Sequence, residues 1–198
     1  MTIWPGSWAT CRFALGRWGV EPDLVSFAKG VTSGYLPLGG VLSSKRVHEA
    51  IESAPADRRF MHAATYSGHP VCCAVGLRNI EIIESEGLVE RAAEMGKRLL
   101  AELEELRDLP SVGDVRGLGM MCGVELVTDR GSKAPALGLG ARINDEALAR
   151  GLLPRMRAGI ADPPIGDTIC LAPPLMTPTE VLDRIPEILR AAIIAAAR

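Results

Sequence analysis

An α/β fold in two units is predicted by three features of the 198-residue chain. Short apolar runs bounded by Gly and Pro, "LVSF" (24–27) and "LGGVLSS" (38–44), read as buried strands. Long apolar stripes at helical spacing run from Pro70 to Leu106. Beyond "DLPSVG" the texture changes to strands alternating with helices. The boundary is expected near residue 86, with residues 1–86 in an α/β sheet domain and residues 87–198 in a smaller α+β domain.

Taken in order, residues 1–18 show no clear period and carry Gly, Pro and Trp irregularly. After the two strands, "KRVHEAIES" reads as a short helix before the loop "APADRRFMHAATYSG". A first helical stripe contains Val71, Ala74, Val75, Leu77, Ile80 and Ile83, and Gly87 punctuates it. A second stripe, Leu88, Ala92, Met95, Leu99, Leu103 and Leu106, is spaced by three and four residues and faces a core. "DVRGLGMMCGVELV" reads as a strand pair, and "LGARINDEALARG" as a helix closed by Gly151. "LLPRMR" and "TICLAPPL" read as strands. The last helix opens on "TPTE", with Thr177 as N-cap, Pro178 in the first position and Glu180 completing a capping box. Pro186 is expected to interrupt and kink it after two turns.

Composition excludes several classes of function. The chain is 47% hydrophobic and 23% charged, with a net charge of -2, so nucleic acid and anionic membranes are not expected partners. No apolar run approaches the roughly 20 residues that span a bilayer. The start, "MTIWPGSWATCRFALGRWG", lacks the apolar core of a signal peptide, which makes the cytoplasm the expected location. Cys11, Cys72, Cys73, Cys122 and Cys170 form no C-x-x-C pair and are odd in number, as for reduced thiols. His48, His62 and His69 lack zinc-site spacing, so no metal is expected.

One lysine stands out. Lys29 closes the "LVSF" run and is followed at once by a Gly- and Ser-rich turn. Most strand-end lysines only solvate a loop. A lysine held beside apolar walls, however, yields the neutral amine, which attacks carbonyls and forms Schiff bases. Gly30 and Gly34 let backbone approach a bound group closely, and Thr32 and Ser33 offer hydroxyls. The residues alone reach a plausible Schiff-base lysine and no further.

"EPDLVSFAKGVTSGYLPLGGVLSS" resembles the cofactor-lysine segment of the class III pyridoxal-phosphate aminotransferases, the ω-amino-acid, ornithine and 4-aminobutyrate type. "TYSGHP" (65–70), "RGLGMMCGVEL" (116–126) and "GDTICLAPPL" (166–175) resemble further family segments, in the family's order. The resemblance implies a partial fold-type-I transferase that moves an amino group from an amino acid or amine to an oxo acid, with pyridoxal 5'-phosphate as cofactor. It implies that Lys29 forms the Schiff base with the cofactor and then shuttles the substrate proton. Thr65 matches a threonine that reaches the cofactor phosphate of a neighbouring subunit in a two-fold dimer, with Ser67 and Gly68 leaving room for close approach. His69 is expected to pack or cap locally rather than take part in chemistry. An arginine before "GDTICLAPPL" is expected to bind the substrate carboxylate as a planar bidentate donor; Arg157 is preferred and Arg155 is the alternative.

The resemblance begins only near Trp18. The family's upstream phosphate cup, its ring-stacking aromatic residue and the Asp that pairs with the pyridinium nitrogen have no counterpart in residues 1–17. Glu21 and Asp23 belong to the "EPD" turn and sit at the wrong place in the motif. The expectation is therefore a truncated chain, weakly active or inactive alone, that works as a homodimer or with a partner chain carrying the missing half. The alternatives are a non-catalytic remnant and, with less support, a semialdehyde aminomutase-type isomerase.

Overall fold

The computed structural model describes residues 14–159 and 165–197. Most of the irregular N-terminal segment, with Cys11, and the middle of "AGIADPPI" lie outside the described residues. The described residues divide into two compact units, one ending at Val89 and the other starting at Glu90. Both fit an α/β class.

In the first unit, β1 (Leu24–Phe27) and β2 (Gly40–Ser43) form an antiparallel ribbon with Leu24 opposite Ser43 and Phe27 opposite Gly40. Gly40 leaves room for the Phe27 ring, since a Cβ there would stand 2.7 Å from it. Ser44 then caps helix α1 (Lys45–Glu52) by accepting the Val47 N–H, while its hydroxyl donates to Asp23 at 2.7 Å. Arg46 pairs with the same carboxylate. Helix α2 (Pro70–Ser85) starts with Pro70 in its first turn and ends before Gly87, whose φ of 59° suits glycine.

The strands are not buried as the sequence suggested. Leu24 is 58% exposed, Val41 62% and Leu42 49%. Two strands bury little by themselves, and nothing among the described residues covers both faces of the ribbon. The first helical stripe also differs from expectation. Val71, Ala74 and Leu77 are exposed, and the buried positions on α2 are Cys72 and Gly76.

The second unit has a conventional core. Helix α3 (Leu88–Glu104) carries the expected stripe, and Ala92, Leu99 and Leu103 are fully buried. They pack with Val115, Val124 and Ile169. Strands β3 (Val112–Leu118) and β4 (Met121–Asp129) form a hairpin whose turn uses Gly119 at φ 56°. Strand β5 (Ala134–Pro135) joins the far end of β4. Helix α4 (Leu139–Ala149) is followed by Gly151 at φ 85°, with Leu152 N–H returning to the Ala147 carbonyl. Strands β6 (Arg155–Arg157) and β7 (Thr168–Leu171) complete an antiparallel sheet in the order β3-β4-β7-β6.

The final helix, α5 (Thr179–Ala196), corrects two expectations. Its N-cap is Pro178, not Thr177, because the Thr177 hydroxyl donates to the Pro174 carbonyl inside the preceding turn. The capping box therefore does not form. Pro186 does not interrupt the helix either. It is buried with Leu182, Ile185 and Leu189, and burial of that face outweighs the roughly 3 kcal/mol local cost of an internal proline.

Candidate active site

Lys29 lies one residue, Ala28, beyond β1 and opens a 3-10 turn, Lys29–Thr32. Its backbone is left-handed, with φ 55°, and so is that of Ser33 at φ 50°. Non-glycine residues reach this region at a cost of about 1–3 kcal/mol each, so the surroundings must hold them there. They do. Val31 and Thr32 are buried, and the Thr32 hydroxyl donates to the Leu36 carbonyl at 2.6 Å. Asn79 of α2 donates through Nδ2 to the carbonyls of Gly30 (2.8 Å) and Val31 (3.2 Å), and its Oδ1 accepts from the Ser33 hydroxyl at 2.7 Å.

The Lys29 side chain itself is exposed, rather than walled by apolar groups at the end of a buried strand. Its amine has no hydrogen-bond or ion-pair partner among the described residues. It borders an open depression of about 690 Å³ lined by Ala28, Lys29 and residues 34–39. Among the described residues, that lining holds one cation and no carboxylate. An aldehyde-bearing group fits this lining through the free amine, and the lining supplies no acid for a ring nitrogen.

Thr65, Ser67 and Gly68 lie in the turn before α2 and are all exposed. Ser67 closes that turn, donating its N–H to the Ala64 carbonyl and accepting the Ala64 N–H on its hydroxyl. Gly68 has φ 69° and open space where a Cβ would stand. The Thr65 hydroxyl has no partner among the described residues, so it is free to donate to a phosphate. His69 sits at the N-cap position without a side-chain cap, its ring 6.3 Å from that of Tyr66. No hydrogen bond joins Lys29 to the Thr65–Gly68 turn among the described residues.

Arg155 and Arg157 belong to the second unit. In the sheet Arg155 pairs with Cys170 and Arg157 with Thr168, so both guanidinium groups share one face while Met156 turns to the core. Glu125 and Asp114 share that face through the registers Glu125–Thr168 and Asp114–Glu125. These acids are already engaged, since Arg116 bonds Asp114 at 2.8 Å and Glu125 at 2.7 Å. Arg155 and Arg157 have no ionic partner among the described residues, which leaves both available for an incoming carboxylate.

Sequence reading passed over two residues that the structure brings to prominence. Asn79 clamps the lysine turn, yet a single Asn inside a helical stripe reads as surface. Asp167, 2% exposed, accepts from Gly140 N–H at 3.0 Å and Gly159 N–H at 3.1 Å. Its only sequence signal was its place in "GDTICLAPPL".

The family model "Aminotransferase class-III" matches residues 6–193. Taurine–pyruvate aminotransferase of Rhodobacter capsulatus is 37% identical over 95% of this chain and 41% of its own length. Diaminobutyrate–2-oxoglutarate transaminase of Halomonas elongata is 40% identical over 87% of this chain and 37% of its own. Among solved structures, a thermostable (S)-enantioselective omega-transaminase from Thermomicrobium roseum superposes on the whole chain with a TM-score of 0.87 and 42% identity. An aminotransferase of Bacillus anthracis gives a TM-score of 0.90 at 33% identity over 98% of the chain. The chain spans 42% and 43% of those two proteins. With four motifs in family order and a family match over nearly its whole length, the chain belongs to the class III aminotransferases.

Proposed function

We propose that this chain carries the lysine-bearing part of a transaminase centre that takes pyridoxal 5'-phosphate and moves an amino group from a small amine or amino acid to an oxo acid. The observation that carries the reading is Lys29: an exposed amine, without a partner among the described residues, on a constrained turn beside an open depression, within "SFAKGVTSGYLPLGG". When bound, the cofactor supplies an aldehyde and an electron-accepting ring. Lys29 Nζ would hold the cofactor through that aldehyde and would move the proton at the substrate α-carbon. Arg157, or Arg155 beside it, orients the carboxylate of substrate or acceptor by paired N–H donors. The Thr65 hydroxyl donates to the phosphate bound by a second copy or a partner chain, so the working unit is an assembly. Exposed apolar side chains in the first unit, among them Tyr35, Phe60, Met61 and Tyr66, suit such an assembly. The names of the relatives, with pyruvate and 2-oxoglutarate as acceptors, support the same donor and acceptor classes.

A second observation supports low activity of the chain by itself. Among the described residues the depression is lined by no carboxylate, and a protonated ring nitrogen is what makes the cofactor a strong electron sink. The chain alone is therefore expected to transfer amino groups very slowly or not at all. The test combines two readouts. Adding pyridoxal phosphate should shift the cofactor absorption band in the wild type and leave it unshifted in Lys29→Ala; an identical spectrum in both sinks the reading. A transaminase assay with several ω-amino acids and pyruvate or 2-oxoglutarate should show at most trace turnover. Robust turnover that vanishes in Lys29→Ala would overturn the low-activity part.

A further inference from the structure

Two non-glycine residues in left-handed backbone, Lys29 and Ser33, bracket a single turn of 3-10 helix. Left to itself, such a turn relaxes into the ordinary α or β region, and the Cα–Cβ bond of Lys29 swings with it. A change in that direction at Cα becomes a displacement of several ångström at the far end of a lysine side chain. The amine therefore depends on whatever fixes the turn.

Asn79 commits both amide hydrogens and its amide oxygen to this turn. Both of its amide hydrogens go to backbone carbonyls, Gly30 at 2.8 Å and Val31 at 3.2 Å, and its oxygen takes the Ser33 hydroxyl at 2.7 Å. The orientation of the amide follows from its partners, since only the NH2 end can serve two carbonyls. One helical turn earlier, Gly76 lets α2 come close enough for this reach. A Cβ there would stand 2.9 Å from Leu38 Cδ2 and 3.8 Å from the Val31 carbonyl. The contact spans 49 residues of sequence, so it is a tertiary clamp and not a local turn bond.

We propose that Asn79 is a positioning residue for Lys29: by clamping the Gly30–Ser33 backbone from α2 it holds the lysine in the left-handed conformation that presents its amine to the depression. The inference rests on the reading of Lys29 as the carbonyl-capturing lysine. Its test reads covalent capture and needs no turnover. In that reaction the amine adds to the aldehyde carbon of pyridoxal phosphate and water leaves, giving a carbon–nitrogen double bond. Borohydride then delivers hydride to that carbon and leaves a stable secondary amine.

The experiment is quantitative peptide mapping after timed exposure of the whole chain to pyridoxal phosphate and borohydride. Lys45, Lys97 and Lys133 serve as internal references. In Asn79→Ala the labelling rate at Lys29 should fall about tenfold or more, as misplaced reacting groups do, while the other three lysines keep their rates. Asn79→Asp should lose as much, because a carboxylate facing two carbonyls keeps only the Ser33 contact. Ser33→Ala removes one hydroxyl and leaves both amide donors, so it should cause a smaller, still Lys29-specific loss. This milder variant decides the matter if Asn79→Ala loses its helical circular dichroism. Wild-type label spread evenly over the four lysines would bring down the Lys29 reading itself. Wild-type label concentrated on Lys29, with unchanged Lys29 rates in these variants, would overturn the role of Asn79 alone. Labelling rates that change by the same factor at all four lysines would mark a merely structural effect and overturn it too.

Discussion

Asp167 caps helix α4 from 27 residues away, its Oδ2 accepting the Gly140 N–H at 3.0 Å. The same carboxylate accepts the Gly159 N–H at 3.1 Å, two residues past Arg157. It therefore ties the helix, the exit of β6 and the start of β7 to one point. Asp167→Ala leaves two buried N–H groups unpaired, at roughly 1–3 kcal/mol each. Chemical denaturation should show a loss of about 2–6 kcal/mol in the second unit. A loss below about 1 kcal/mol would show that water replaces the carboxylate without difficulty.

Gly96 lies on α3 where a Cβ would overlap the backbone of Gly119 in the β3–β4 turn. Gly→Ala inside a free helix stabilises by up to about 1 kcal/mol. Here the neighbour is backbone and cannot rotate away, so the sign reverses. Gly96→Ala should destabilise by about 1–3 kcal/mol or more, read as a lower thermal midpoint. An unchanged or raised midpoint would mean that the hairpin moves freely from the helix.

Burial pushes the Cys122 thiol up to about 11. At pH 8 almost none of it is thiolate, the reactive form. Iodoacetamide on the native chain should therefore modify the half-buried Cys73 and Cys170 and spare Cys122 until denaturant is added. Equal modification of Cys122 and Cys170 in the native state would contradict the packed core around it.

The Arg116 and Arg107 guanidinium groups, Arg116 foremost, hold the Asp114 carboxyl below its usual 3.8. A carboxyl lowered by folding stabilises the fold above about that value, and the stabilisation is lost as pH falls through the folded value. Water screens this half-exposed cluster, so the effect is at most about 1 kcal/mol. Asp114→Asn should be slightly less stable than wild type at pH 7, with the gap closing toward pH 3. A gap that widens on acidification would reverse the assigned sign.

Much of this was legible in the sequence because the second unit obeys simple periods. Leu99 and Leu103 recur at helical spacing and are buried, and "RGLGMMCGVEL" contains the glycine its hairpin turn requires. The family was legible for a different reason: several segments stand in the order the class III family has them, and the family match runs over residues 6–193. What escaped depended on tertiary context. Leu24 and Val41 look like core residues, but a two-stranded ribbon gives them little to pack against. Thr177 and Glu180 spell a capping box, yet the Thr177 hydroxyl is taken by Pro174. Pro186 breaks helices locally, and the burial of Leu182 and Leu189 carries α5 past it. Asn79 and Gly76 form the working side of α2, and neither counts as apolar in a periodicity search.

The central claim is that Lys29 is the covalent attachment point for pyridoxal phosphate. Incubation of the wild-type chain with the cofactor, borohydride reduction and mass-spectrometric peptide mapping tests it directly. The account predicts one dominant phosphopyridoxyl modification, on the peptide containing Lys29, that is absent from Lys29→Ala. Label distributed evenly over Lys29, Lys45, Lys97 and Lys133 would contradict it.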